Sequence, residues 1–151
     1  MERIASHLEW SVLIGEDEDA SPVDAGLRSL VPFSLDAEKL AVLTSAAKGF
    51  NERKVLIERI ALEHQRHIRA ALAHLREMLS AEQRSLLLKQ ASSRLDEQMR
   101  FYLRLDKAAL LAGRVELTDG GECFHCKVSL SAFPRSEQAA LAVLQKWLAP
   151  S

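Results

Sequence analysis

Residues 51–112 run for 62 positions without Gly or Pro, and their apolar positions recur at a helical period. Ile57, Ala61, His64, Ile68, Ala71, Leu75 and Met78 follow 4-3 steps. Leu88, Ala91, Leu95, Gln98, Tyr102, Leu105 and Ala109 follow 3-4 steps. Such repeats predict helix faces that pack on another helix. The first register, carried past Met78, lands on the polar Glu82, Ser85 and Lys89. Ser80-Ala81-Glu82-Gln83 also fits a capping box, which opens a new helix. The pattern therefore predicts a long antiparallel helical hairpin, about 51–79 and 81–112. A single kinked helix is the alternative, and it would have to dimerise to cover its seam.

The flanks read as shorter elements. Ile4, Leu8 and Val12 form an i, i+4, i+8 stripe on a helix over 2–14, and Gly15 to Pro22 reads as an acidic loop. Ser34 or Asp36 caps a helix running to Lys48, with Gly49 as its stop and Asn51 as the cap of the next. After Gly113 the period changes to two. Val115 and Leu117, then Phe124 to Leu130, alternate apolar and polar around Asp119-Gly120, the signature of a β-hairpin turn. Ser136 to Leu148 reads as a last amphipathic helix, with Ala140, Leu144, Trp147 and Leu148 on one side. The expected fold is mainly α. Residues 1–112 form a helical domain, and 113–151 a β-hairpin plus helix packed on it as one compact unit. Leu79 to Gln83 is also similar, over five residues, to the L-[ST]-x-x-Q signature of periplasmic helical stress proteins. The amino end is not expected to be an export signal, so these residues read as a capping box.

Composition narrows the class. The 151 residues are 48% hydrophobic and 27% charged, ordinary for a folded domain. No apolar run approaches the roughly 20 residues that span a bilayer, so no membrane association is expected and the cytoplasm is the expected location. The net charge of −1 hides an uneven spread. Residues 1–50 hold nine acidic and four basic side chains, whereas residues 51–112 hold eight acidic and twelve basic. An acidic and a basic segment that neutralise each other leave little surplus field for a polyanion.

Few constellations carry chemistry. Cys123-Phe124-His125-Cys126 is a C-x-x-C, so Cys123, Cys126 and His125 are metal or redox candidates. In an extended strand, however, residues three apart point to opposite faces, and a zinc site needs further ligands. His64 and Gln98 meet across the predicted hairpin as a polar layer that would fix its register. Arg59, Arg66, Arg69 and Arg76 share one side of helix 51–79 and could touch a polyanion. No catalytic motif and no cofactor site is evident. The expected function is a non-enzymatic interaction module, an adaptor, chaperone or assembly component. It would bind a protein partner or a second copy of itself through helical faces or a hairpin edge. Two alternatives remain: a metal- or redox-responsive regulator using Cys123 and Cys126 with a histidine, and a nucleic-acid-binding accessory protein using the basic helix. Nucleic acid is the less expected partner.

Overall fold

A computed structural model describes residues 3–48 and 53–150. The chain order is β1 (Ala5–Gly15), α1 (Ala20–Arg28), β2 (Leu43–Lys48), β3 (Lys54–Leu62), α2 (Gln65–Met78), α3 (Ala81–Lys89), α4 (Ala91–Arg94), β4 (Arg100–Asp106), α5 (Lys107–Leu111), β5 (Cys123–Leu130) and α6 (Glu137–Leu148). The strands form one antiparallel sheet of order β2-β3-β1-β5-β4. This α/β architecture replaces the expected mainly α fold and its long hairpin.

The correction has a common physical cause. An i, i+4, i+8 stripe satisfies a period of two as well as a helix. From Leu8 onward the buried residues of β1 are Leu8, Trp10, Val12 and Ile14, alternating with half-open or exposed Glu9, Ser11 and Leu13. The same alternation runs through β4, where Phe101, Leu103 and Leu105 are buried between Arg100, Tyr102, Arg104 and Asp106. Phe101 and Leu103 lay off the expected helical seam because the residue pattern there is that of a strand. In β3, Lys54-Val-Leu-Ile-Glu-Arg-Ile-Ala-Leu62 brings Val55, Ile57 and Ile60, β-branched residues that suit a pleated surface. It pairs antiparallel with β2, from Leu43 opposite Arg59 to Lys48 opposite Lys54. The helix expected from Ser34 closes after one turn. Ser34 Oγ does accept from the Ala37 N–H, but Lys39 then adopts a left-handed φ of 58°. The expected stop at Gly49 and cap at Asn51 lie outside the described residues.

Local signals at helix ends are where the sequence places them. Ser80 Oγ accepts from Gln83 N–H at 3.1 Å and Gln83 Oε1 accepts from Ser80 N–H at 2.8 Å. Ser136 caps α6 through the Ala139 N–H. The expected hairpin at Asp119-Gly120 does not form. Instead β5 pairs with β1 and β4, and Leu117 bridges Leu105. Two long neighbours satisfy both edges of β5, whereas an isolated two-stranded hairpin is marginal in water.

The chain divides into two compact units. Unit 1 comprises residues 1–8, 62–103 and 127–151; unit 2 comprises 9–61 and 104–126. Unit 1 buries Ile68, Ala71, Leu72 and Leu75 of α2 with Phe101, Val128, Leu144 and Trp147. The Phe101 and Trp147 rings meet edge to face at 6.2 Å, and the Trp147 indole N–H donates to Leu72 O at 3.0 Å. Unit 2 buries Trp10, Val12, Ile14, Val23, Leu27, Ile60, Leu105 and Phe124. At Gly26 of α1 a Cβ would stand 2.9 Å from Leu111 Cδ2 and 3.0 Å from Phe124 Cζ, so any side chain there would have to displace them. Among the described residues, no helix is long and apolar enough to cross a membrane.

Candidate nucleic-acid interface

The two units differ in charge. Unit 1 carries eleven Lys and Arg against seven Asp and Glu, a net of +4, and four of the five histidines. Unit 2 carries nine against fourteen, a net of −5, so the whole chain returns to −1. Because unit 1 is assembled from three separated segments, its cations come partly from residues 51–112, a stretch that already carries a net of +4, and partly from Arg3, Lys127, Arg135 and Lys146. A near-neutral total conceals one basic body, the kind of field that attracts a polyanion.

Many of the cations of unit 1 are used internally. Arg76 donates from Nε to Trp147 O at 2.9 Å and from Nη2 to Ala149 O at 2.7 Å, which satisfies carbonyls at the end of α6. Arg84 donates to the carbonyls of Arg76 and Leu79, at the end of α2. Arg94 holds Gln90 Oε1. Arg66 reaches the His67 ring at 3.3 Å. Arg3, Arg69 and Arg135, by contrast, are exposed, and no hydrogen bond or ion pair among the described residues engages them.

Beside Arg3 and Arg135 lies a well-braced turn. Asp96 accepts from the Gln98 and Arg100 N–H groups at Oδ1, and from Arg100 Nε and the Tyr102 hydroxyl at Oδ2. Desolvation works against the carboxylate, but the hydrogen bonds from Arg100, Tyr102 and Gln98 outweigh it and hold the Asp96 pKa down to about 2. Burial and the Asp96 contact push the Tyr102 hydroxyl up. The turn feeds β4, whose open side in unit 1 carries Arg100 and Tyr102. The Leu130 N–H donates to Met99 O at 2.9 Å, and that bond brings Ser129 and Lys127 of β5 alongside. An antiparallel sheet can leave one face to solvent in this way. At this end of the sheet Arg3, Ser6, Gln98, Ser129, Phe133 and Arg135 line a cleft of about 520 Å³.

The residues singled out in the sequence fall differently from expectation. Arg59 is exposed on β3, in unit 2, while Arg66, Arg69 and Arg76 lie on α2, so the four do not share one helix. His64 is exposed at the start of α2, with its ring edge-on to that of His67 at 5.7 Å. Gln98 sits in the Asp96 turn and accepts from Arg100 at 2.7 Å. The hairpin that would join His64 to Gln98 is absent, and the two are not hydrogen-bonded. Cys123 and Cys126 point to opposite faces of β5, Cys126 buried and Cys123 half-buried with His125. Desolvation pushes both thiols up, Cys126 far more. Among the described residues, no group of three or more His, Cys, Asp or Glu side chains could hold a metal ion. Arg3, Phe133 and Arg135 were not singled out. Phe133 and Arg135, on either side of Pro134, form the one local signal that could have marked the cleft.

Comparison with known proteins decides among the classes. A family described as RNA binding matches residues 7–130. The chain belongs to that RNA-binding family. An RNA-binding protein of Pyrococcus abyssi is 28% identical over 144 residues, covering 95% of this chain and 94% of that protein. Among solved structures, a protein of Archaeoglobus fulgidus superposes with a TM-score of 0.85 at 24% identity, over 95% of this chain and 99% of its own. One from Methanothermobacter thermautotrophicus does so with a TM-score of 0.78 at 22% identity, over 97% and 99%. These two support the fold. Family membership overturns the expected adaptor or chaperone and the expectation that nucleic acid is the less favoured partner, and the coiled coil falls with the helical hairpin. The expectation rested on the acidic segment 1–50 neutralising the basic one, whereas residues 9–48 fold into unit 2 and seven of the twelve cations of 51–112 into unit 1.

Proposed function

We propose that this protein binds RNA through unit 1, as a non-enzymatic, cytoplasmic RNA-binding protein. The observation that carries the reading is the basic character of unit 1, with Arg3, Arg69 and Arg135 exposed and unengaged. Membership of the RNA-binding family supports the choice of polyanion. A cation already spent on a helix end cannot release phosphate counterions without breaking the fold, whereas an unengaged one can. Arg69 is the residue of the original basic set best placed for phosphate. Arg3 and Arg135 add planar guanidinium groups suited to phosphate or to a base face.

The test is fluorescence anisotropy of labelled RNA between about 50 and 200 mM salt, where affinity should fall linearly on a log–log plot. Arg69→Glu and Arg3→Glu should each lower affinity across RNA sequences and reduce the slope by about 0.7–0.9 per lost phosphate contact. Absence of salt-dependent RNA binding by the wild-type protein at the low-salt end would sink the proposal.

A further inference from the structure

The Phe133 ring is 94% exposed, while the next most exposed large apolar side chain among the described residues, Leu13, is 50% exposed. Phe133 lies between β5 and α6, on the wall of the 520 Å³ cleft of unit 1. The volume is that of a small-molecule site. The lining is mixed in a particular way. An aromatic face stands beside two unengaged guanidinium groups, Arg3 and Arg135, with hydroxyls from Ser6, Ser129 and Ser131. Gln98 completes the set. Its Oε1 is taken by Arg100, and its amide hydrogens remain as donors. The Asp96 network fixes the turn that presents it.

We propose that this cleft holds one unpaired nucleotide of the bound RNA, its base stacked on Phe133 and its phosphate held by Arg3 and Arg135. The inference rests on the RNA-binding reading and deepens it by naming the RNA form. A base inside a duplex has both faces stacked and cannot offer one to a protein ring. A base in a single strand, bulge or end can, and aromatic stacking is the common means of taking it. The serine hydroxyls and the Gln98 amide supply donors and acceptors for a base edge. The cleft therefore favours single-stranded segments over paired ones, and the unengaged arginines add the charge that holds the strand near it.

The experiment measures binding of a mixed-sequence single-stranded RNA and of a blunt duplex of equal length to the full chain. Phe133→Ala should weaken single-strand binding by about 5- to 100-fold, the scale of one base–aromatic stack, and leave blunt-duplex binding within about twofold. Phe133→Trp should restore single-strand affinity, and its added indole fluorescence should be quenched on binding; Phe133→Leu should not restore it. Circular dichroism should report an unchanged fold, since the ring is almost wholly in solvent. If the wild-type protein binds RNA but Phe133→Ala keeps full single-strand affinity, the nucleotide cleft is overturned and the ring becomes a protein contact, while the RNA reading stands. Equal losses on single strand and duplex also overturn the unpaired-base assignment. Failure of the wild-type protein to bind either RNA removes both proposals.

Discussion

The Lys107 ammonium lies 2.7 Å from the Glu18 carboxylate, with the lysine side chain 7% exposed and the glutamate 32%. Lys107 Nζ also donates to the Leu13 carbonyl at 2.6 Å. A strand, a loop and a short helix of unit 2 are thus tied at one buried cation. Truncating a buried partner leaves unpaired polar groups, which costs more than the pair itself contributes. Lys107→Ala should destabilise by about 2–4 kcal/mol in urea unfolding. Glu18→Gln should cost less, about 1 kcal/mol, because the carbonyl still holds the ammonium and water reaches the partly exposed carboxylate. Desolvation opposes ionisation of Glu18, but hydrogen bonds from Lys107 and the Gly15 N–H lower its pKa overall. Its contribution is therefore present above the ordinary value of 4.5 and lost as pH falls through the lowered folded value. Equal costs for the two substitutions at pH 7 would contradict this arrangement.

Asp96 supplies a second, sharper pH dependence. Its pKa falls from 3.8 to about 2 on folding. A depressed carboxylate stabilises the fold above its unfolded pKa and ceases to do so below its folded one. The Asp96 contribution, about 1–2 kcal/mol after solvent screening, should be complete above about pH 4 and vanish toward pH 2. Asp96→Asn should therefore be less stable than wild type at pH 7, and the gap should close on acidification. A gap that persists at pH 2 would mean that packing, not charge, holds the turn.

What could be read from the sequence was what depends on near neighbours. The Ser80–Gln83 box needs only four residues, and it is present. The alternation from Phe124 to Leu130 is a strand pattern, and β5 spans it. The rest needed partners distant in sequence. Ile4, Leu8 and Val12 fit a helix or a strand equally, and only pairing across the sheet selects the strand. The net charge of +4 was legible in residues 51–112, but not which of those cations fold with Arg3 and Arg135 into unit 1. Phe133 carries no periodic signal; only Arg135 beyond Pro134 marks it locally, and its exposure follows from the fold.

The alternation in β5 makes a chemical prediction. Cys126 is fully buried and Cys123 half-open, on opposite faces. An aromatic disulfide reagent should titrate one thiol in the native protein and both after denaturation. Reaction at Cys123 should be slow at neutral pH, because desolvation raises its pKa and keeps it protonated. Two fast equivalents in the native state would show that the strand does not separate the thiols.

Arg76 and Arg69 share helix α2 yet should answer opposite assays. Arg76 spans from α2 to the last carbonyls of α6, at 2.9 and 2.7 Å, and its own carbonyl receives Arg84 at 3.1 Å. Charged hydrogen bonds to helix-end carbonyls contribute about 1.5–3 kcal/mol, so Arg76→Ala should lower unfolding stability by that order. The folded fraction should keep its RNA affinity, since the guanidinium is already committed. Arg69 is exposed and unengaged. Arg69→Ala should leave stability within about 0.5 kcal/mol while flattening the salt dependence of RNA binding. Measured together, the two variants separate a cation that closes the fold from one that faces the ligand. The reverse outcome, with Arg76→Ala stable but deficient in RNA binding, would move the phosphate contact to the end of α6.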